Sequence, residues 1–272
     1  MPPFYFYIPR LDETQMNRTG LICALTIGVV AGVIFGLYPD LDLRIARHFY
    51  AIDGYNYPFP YRYFRTVLSA RGAGLWIVTA LIATAVGALV IKLIMPWSKL
   101  LISGRAIIFL TTTMILGPGL MANVILKEYW SRPRPINVTQ FGGNQNFVPW
   151  WDPRGDCLSN CSFVSGEVVG AAWTVAPAAL APPQWRALAY GAAIALGAGM
   201  AAIRVMSGGH FPSDVIFSGV FTFLIVWIVY AQIYRWARTR VSDDDVERVL
   251  TRPTLAVYDF VVGLFGRTRK QK

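Results

Sequence analysis

His210 and Asp214 stand four residues apart in Arg204-Val205-Met206-Ser207-Gly208-Gly209-His210-Phe211-Pro212-Ser213-Asp214. Four residues is about one helical turn, so on a helix the carboxylate reaches the imidazole. An aspartate that accepts from one ring nitrogen fixes the tautomer and leaves the other nitrogen as a nucleophile. A lone histidine beside an apolar run is more often inert. This one has a carboxylate at a useful spacing, on a run that otherwise carries no charge.

Two more segments place polar groups at the ends of apolar runs, where they are expensive and functional by default. Lys127-Glu128-Tyr129-Trp130-Ser131-Arg132-Pro133-Arg134-Pro135 closes one run. Lysine and arginine also snorkel at helix ends, so alone this segment reads either way. Ser162-Phe163-Val164-Ser165-Gly166-Glu167 opens another run. Serine and glycine at a helix start expose backbone N–H groups and the positive end of the helix dipole, which suits an anion. An ordinary N-cap, with Glu167 as the dipole partner, accounts for the same residues.

Together the three segments resemble the signature of the type 2 phosphatidic acid phosphatase and haloperoxidase superfamily, which reads K-x6-R-P, then P-S-G-H, then S-R-x5-H-x3-D. Lys127 with Arg134-Pro135 matches the first part, leaving Arg132 outside the motif. Arg204, His210 and Asp214 match the third, with Ile203 in place of the usual serine. The second is matched in part, since Val164-Ser165-Gly166-Glu167 has valine for proline and glutamate for histidine. The resemblance implies that Lys127, Arg134 and Arg204 bind the phosphoryl oxygens, with Ser165 and Gly166 as neutral donors. It implies that His210 attacks phosphorus to give a phosphohistidine, while Asp214 orients the imidazole and stabilises the imidazolium. A cationic clamp stabilises the charge that grows on a transferring phosphoryl group, so neither a metal nor another cofactor is expected. With two histidines, and three cysteines not clustered with them, a zinc site is not expected either.

In the family the histidine replaced by Glu167 protonates the leaving alkoxide. A buried carboxylic acid performs that step if desolvation keeps it protonated, while nearby cations push the other way. Recognition of a substrate amine or sugar hydroxyl is the alternative role for Glu167.

These residues need elements to position them. Hydrophobic residues make up 55% of the 272-residue chain and charged residues 15%, against about 25% charged in soluble domains. The apolar residues gather into blocks near the ~20 residues that span a bilayer as a helix. Six spans are expected, at about 21–37, 73–94, 106–126, 163–180, 187–203 and 211–234. They are continuously apolar and too long for barrel strands, so the expected fold is an all-α polytopic membrane protein with six transmembrane helices. The first run is expected to persist as a span, not a cleaved leader. Asp40-Leu41-Asp42-Leu43-Arg44-Ile45-Ala46-Arg47-His48-Phe49 has apolar residues at roughly helical spacing and reads as an interfacial amphipathic helix. Two divisions follow: a six-span domain at 1–234 and a basic tail at 235–272, with an acidic run and a second apolar stretch at 255–265.

The net charge of +10 is not a nucleic-acid signal, because the basic residues lie between the apolar blocks and nine of the 25 follow Tyr234. The side holding the N-terminus, the 95–105 and 182–186 loops and the tail is the richer in lysine and arginine, which places it in the cytoplasm. The loops at 39–72, 127–162 and 204–210 then face outward. In an oxidising compartment Cys157 and Cys161 could pair; two free thiols in a tight turn are the alternative. Cys23 reads as a small lipid- or helix-facing residue.

The Cys161–Glu167 and Asp42–Phe49 stretches are similar to those of bacterial lipid A phosphatases within the superfamily. That similarity implies a bacterial inner membrane, an active site facing the periplasm, and lipid A as substrate. Undecaprenyl diphosphate, phosphatidic acid and phosphatidylglycerol phosphate are the alternatives. An anion transporter is the non-enzyme alternative; against it, the charges lie at one membrane face and no span carries an ionisable residue near its middle.

Overall fold

The computed structural model describes residues 18–51, 54–95, 100 and 102–264. The segments 1–17 and 265–272, which entered the charge asymmetry above, lie outside the described residues. In lipid every backbone N–H and C=O has to find a partner, and apolar runs do so as helices. In chain order these are α1 (Arg18–Leu37), α2 (Asp40–Arg47), α3 (Arg65–Ile94), α4 (Gly104–Tyr129), α5 (Gly166–Trp173), α6 (Val175–Ala179), α7 (Pro183–Met206), α8 (Pro212–Arg235) and α9 (Asp243–Leu264). The all-α expectation holds.

Five of them, α1, α3, α4, α7 and α8, are long and apolar enough to cross a membrane. The span expected at 163–180 is instead two short helices that meet at Thr174. The Thr174 hydroxyl bonds back to the Ala171 carbonyl at 2.6 Å, and Pro177 has no N–H to continue the ladder. α5 packs against α3, α4, α7 and α8, with Val168, Val169, Ala171 and Trp173 buried. Enclosed by protein, it does not need the length of a lipid-facing span.

The outward faces of the long helices stay apolar, with Ile22 and Val29 on α1, Trp76 on α3 and Leu188 and Ile194 on α7 all exposed. Lipid covers such a surface in a membrane protein. α4 winds wider, in π geometry, over Ile115–Leu126 with Pro118 inside it. Proline removes a backbone donor and crowds the preceding turn, and the Asn123 side-chain amide donates to the Pro118 carbonyl at 2.7 Å. The widening shifts the register of whatever follows, and Lys127 comes next.

α2 is amphipathic as expected. Leu43 and Ala46 pack with Phe59, Val138, Phe141 and Phe211, while Asp40, Arg44 and Arg47 are exposed. Asp42 departs from that pattern, being charged and fully buried. The tail at 235–272 does not hang free at its start. The Arg105 guanidinium donates to Asp243 at 3.1 and 2.9 Å, and α9 lies against α3 and α4. The apolar stretch expected at 255–265 falls within α9 up to Leu264.

Candidate active site

Past Tyr129 the chain leaves α4 and runs beside a later part of its own loop. The N–H groups of Cys157, Cys161 and Ser162 donate to the carbonyls of Ser131, Lys127 and Arg132 at 3.2, 3.0 and 2.7 Å. These bonds carry the first charged segment to the start of α5. Cys157 and Cys161 are joined as a disulfide, closing a short ring that contains Asn160. Asn160 has φ +48°, in the left-handed region that asparagine tolerates better than most side chains. It turns its carbonyl and side-chain oxygens to Arg134, whose guanidinium donates three bonds at 3.2, 2.8 and 2.7 Å.

Lys127, Arg134, Glu167 and Arg204 line one cavity of about 240 Å³, together with Arg62 and Arg71. Two glycines admit the cations. A Cβ on Gly166 would stand 2.9 Å from Lys127 Nζ, and one on Gly209 would stand 2.5 Å from an Arg204 terminal nitrogen. Arg204 Nε and Ser165 Oγ are buried and have no hydrogen-bond partner among the described residues. Buried polar atoms are paired with few exceptions; of these two, Arg204 lines the cavity, where an oxyanion would pair it, and Ser165 lies behind the lining residues.

His210 is 2% exposed. Its Nδ1 lies 2.6 Å from the Ser162 carbonyl oxygen, a group that only accepts, so Nδ1 carries the proton and Nε2 the lone pair. Burial, and then the positive charges of Arg204 and Arg134, push the imidazole well below its ordinary titration range. At neutral pH the imidazole is uncharged.

Asp214, expected to accept directly from the ring, is 3.9 Å from Nδ1. The cause is local: α8 begins at Pro212, so His210 precedes the helix and the four-residue spacing does not put it on the face of Asp214. One Asp214 oxygen accepts from the Ser162 hydroxyl at 2.5 Å and the Phe211 N–H at 2.8 Å. Asp214 therefore reaches the ring through Ser162, whose hydroxyl it holds and whose carbonyl holds Nδ1.

Arg132, read from the sequence as a neighbour outside the motif, is fully buried. It bridges Asp42 and Asp214, at 2.8 Å from the former. Opposed carboxylates more than offset the effect of burial, so its charge is held more firmly than that of a free arginine. Asp42, Arg62, Arg71, Arg132 and Ser162 were not singled out by sequence spacing. Arg132 and Ser162 lie inside the segments quoted for their polar groups and Asp42 inside the amphipathic one, while Arg71 stands just ahead of an apolar run.

Glu167 departs from a free acid. Both its oxygens accept from Arg71, at 2.7 and 2.6 Å, and Arg204 stands 3.6 Å away. An oxygen already accepting from a guanidinium is poorly placed to carry a transferable proton, so the geometry favours a carboxylate that positions two arginines. Glu167→Gln should then slow hydrolysis of a lipid and of an activated aryl phosphate by a similar factor, on the order of tenfold. Turnover of purified protein on both substrates checks this; a loss confined to the poor leaving group would restore the acid role.

Residues 105–238 match the PAP2 superfamily. Over 224 residues the chain is 35% identical to the lipid A 4'-phosphatase of Francisella tularensis subsp. novicida (strain U112), an alignment covering 81% of this chain and 98% of that relative. It is 40% identical over 104 residues to the lipid A 4'-phosphatase of Rhizobium leguminosarum, covering 38% of this chain and 45% of the relative. The corresponding enzyme of Rhizobium etli (strain ATCC 51251 / DSM 11541 / JCM 21823 / NBRC 15573 / CFN 42) is 41% identical over 102 residues, covering 38% and 40%. The chain thus aligns with nearly all of the first relative and with under half of the other two. No solved structure matches it.

Proposed function

Because this chain belongs to the PAP2 superfamily and is a membrane lipid phosphatase, we propose that it removes the 4'-phosphate of lipid A, at the outer face of a bacterial inner membrane. The observation that carries the substrate is the relative aligned along 98% of its length, a lipid A 4'-phosphatase. The site chemistry agrees with a phosphate ester. Arg62, Arg71, Lys127, Arg134 and Arg204 surround the cavity against the single carboxylate of Glu167.

In the proposed reaction Lys127, Arg134 and Arg204 hold the phosphoryl oxygens, with Ser165 Oγ and the Gly166 N–H as neutral donors. The His210 Nε2 lone pair forms a bond to phosphorus as the bond from phosphorus to the sugar oxygen breaks. With Glu167 engaged by Arg71, the departing oxygen takes its proton from water in the cavity. The hydroxide left by that water then attacks phosphorus, the P–N bond breaks, and the electron pair returns to Nε2 as inorganic phosphate forms. Asp214 balances the imidazolium that exists between the two steps. A lipid diphosphate such as undecaprenyl diphosphate is the second reading, favoured by the engaged state of Glu167, because a phosphate leaving group needs no added proton.

An outward-facing site is supported by the lysine and arginine asymmetry and by the Cys157–Cys161 disulfide, a bond of oxidising compartments. The tail at 235–272 is then cytoplasmic. Purified full-length protein in detergent, given lipid A phosphorylated at the 4' position alone, at the 1 position alone, and undecaprenyl diphosphate, tests the assignment. Release of phosphate from the first, well above the other two, is the expected result; preference for the 1-phosphate or the diphosphate overturns it.

A further inference from the structure

We propose that Asp42 and Arg132 are positioning residues for the reaction, holding Asp214 and, through Ser162, the ring of His210; the inference rests on the roles given to His210 and Asp214 above. Asp42 belongs to α2 and lies 90 residues from Arg132 in sequence and 171 from Ser213. One of its oxygens accepts from the Ser213 N–H at 2.9 Å. The other accepts from the Ser213 hydroxyl at 2.6 Å and from Arg132 at 2.8 Å. A second Arg132 nitrogen donates to Asp214 and, at 2.8 Å, to the Ser213 hydroxyl. The side chains of Asp42, Arg132 and Asp214 are all 0% exposed.

Two buried carboxylates in one network do not both stay ionised unless a cation lies between them. Arg132 is that cation, and its planar fork gives one nitrogen to each. Its Nε–H donates to the Val148 carbonyl at 3.1 Å, and the Phe211 ring lies 4.6 Å from the guanidinium carbon. The three charged side chains sum to one negative charge, whose nearest oxygen is 3.9 Å from the imidazole.

Attack on phosphorus leaves a positive charge on that ring, and the surplus negative charge then balances it. Without Asp42 the Arg132–Asp214 pair would be neutral. The imidazolium would then face Arg204, Arg134 and Lys127 with no net charge behind it. The contacts of Asp42 with Ser213 also fix the first turn of α8, and hence the place of Asp214.

Kinetics of the purified full chain test this. Asp42→Asn should lower kcat by about ten- to a hundredfold, the range of a lost charge-assisted contact. KM should be unchanged, since the phosphate-binding cations are untouched. Ser213→Ala, an uncharged change in the same network, should lower kcat by less, again with KM unchanged. His210→Ala in the same assay separates two kinds of failure. If His210→Ala retains turnover, the roles assigned to His210 are wrong and this inference falls with them. If His210→Ala is inactive while Asp42→Asn and Ser213→Ala keep their kcat, or lose KM alone, the Asp42–Arg132 link is wrong by itself. Should Asp42→Asn fail to fold, Ser213→Ala decides.

Discussion

Replacing His210 with alanine should abolish phosphate release, with turnover falling by on the order of 10⁴-fold or more, as when a covalent catalyst loses its nucleophile. Rapid acid-free quenching of the unaltered enzyme should trap an acid-labile phosphoryl group on His210, and the variant should trap none. No other described nucleophile is held as this ring is, with Nδ1 tied to Ser162 and Nε2 left with its lone pair. The pH profile carries the same prediction. The reactive form is the neutral imidazole, and burial beside Arg204 and Arg134 depresses its titration below 6.5. Activity that depends on this group is therefore retained down through pH 6.5 and lost only as pH falls through the lower value. That limb should appear in kcat/KM, which reports the free enzyme. Near-normal turnover in His210→Ala would remove the phosphohistidine from the mechanism.

Neutralising the clamp should have the next largest effect. Arg204→Gln, Arg134→Gln or Lys127→Gln should each lower turnover by about 10²- to 10³-fold, the scale of losing one preorganised donor to transition-state charge. Arg204 should be the most sensitive, because its buried Nε has no other partner among the described residues. The sequence alone suggests a mild result for Arg132, two residues before Arg134. Its burial between Asp42 and Asp214 predicts a severe one by another route, since removing it leaves two carboxylates facing each other without a cation. Unfolding in detergent tells the routes apart: the clamp variants should keep their midpoint and Arg132→Gln should lose several degrees. Clamp variants with nearly full turnover would mean the phosphate sits elsewhere.

Much of this site is legible in the sequence because its signals are local. Lys127 with Arg134, and Arg204 with His210 and Asp214, sit at fixed spacings at the ends of apolar runs, where a charge has to be explained. What stayed hidden is what folding brings from afar. Asp42 reaches Arg132 across 90 residues and Arg71 reaches Glu167 across 96, and no periodicity encodes such pairings. The direct His210–Asp214 bond was expected from helical spacing, yet Pro212 between them marks the helix start that breaks it. The fourth span reads as continuous in the sequence because the break at Thr174 does not interrupt the hydrophobicity.

The rim of the catalytic cavity includes Val67 and Leu68, at the start of a helix whose outer face presents Trp76 and Ile77 to the surroundings. On the proposed function, a substrate anchored by its acyl chains would meet those residues by sliding sideways in its leaflet, not by arriving from bulk water. The concentration that governs turnover is accordingly a surface density. Adding detergent at constant lipid should slow the enzyme as though substrate had been removed, although the molarity is unchanged. Saturation is then reached at a mole fraction of lipid, and two preparations agree in rate when that fraction agrees.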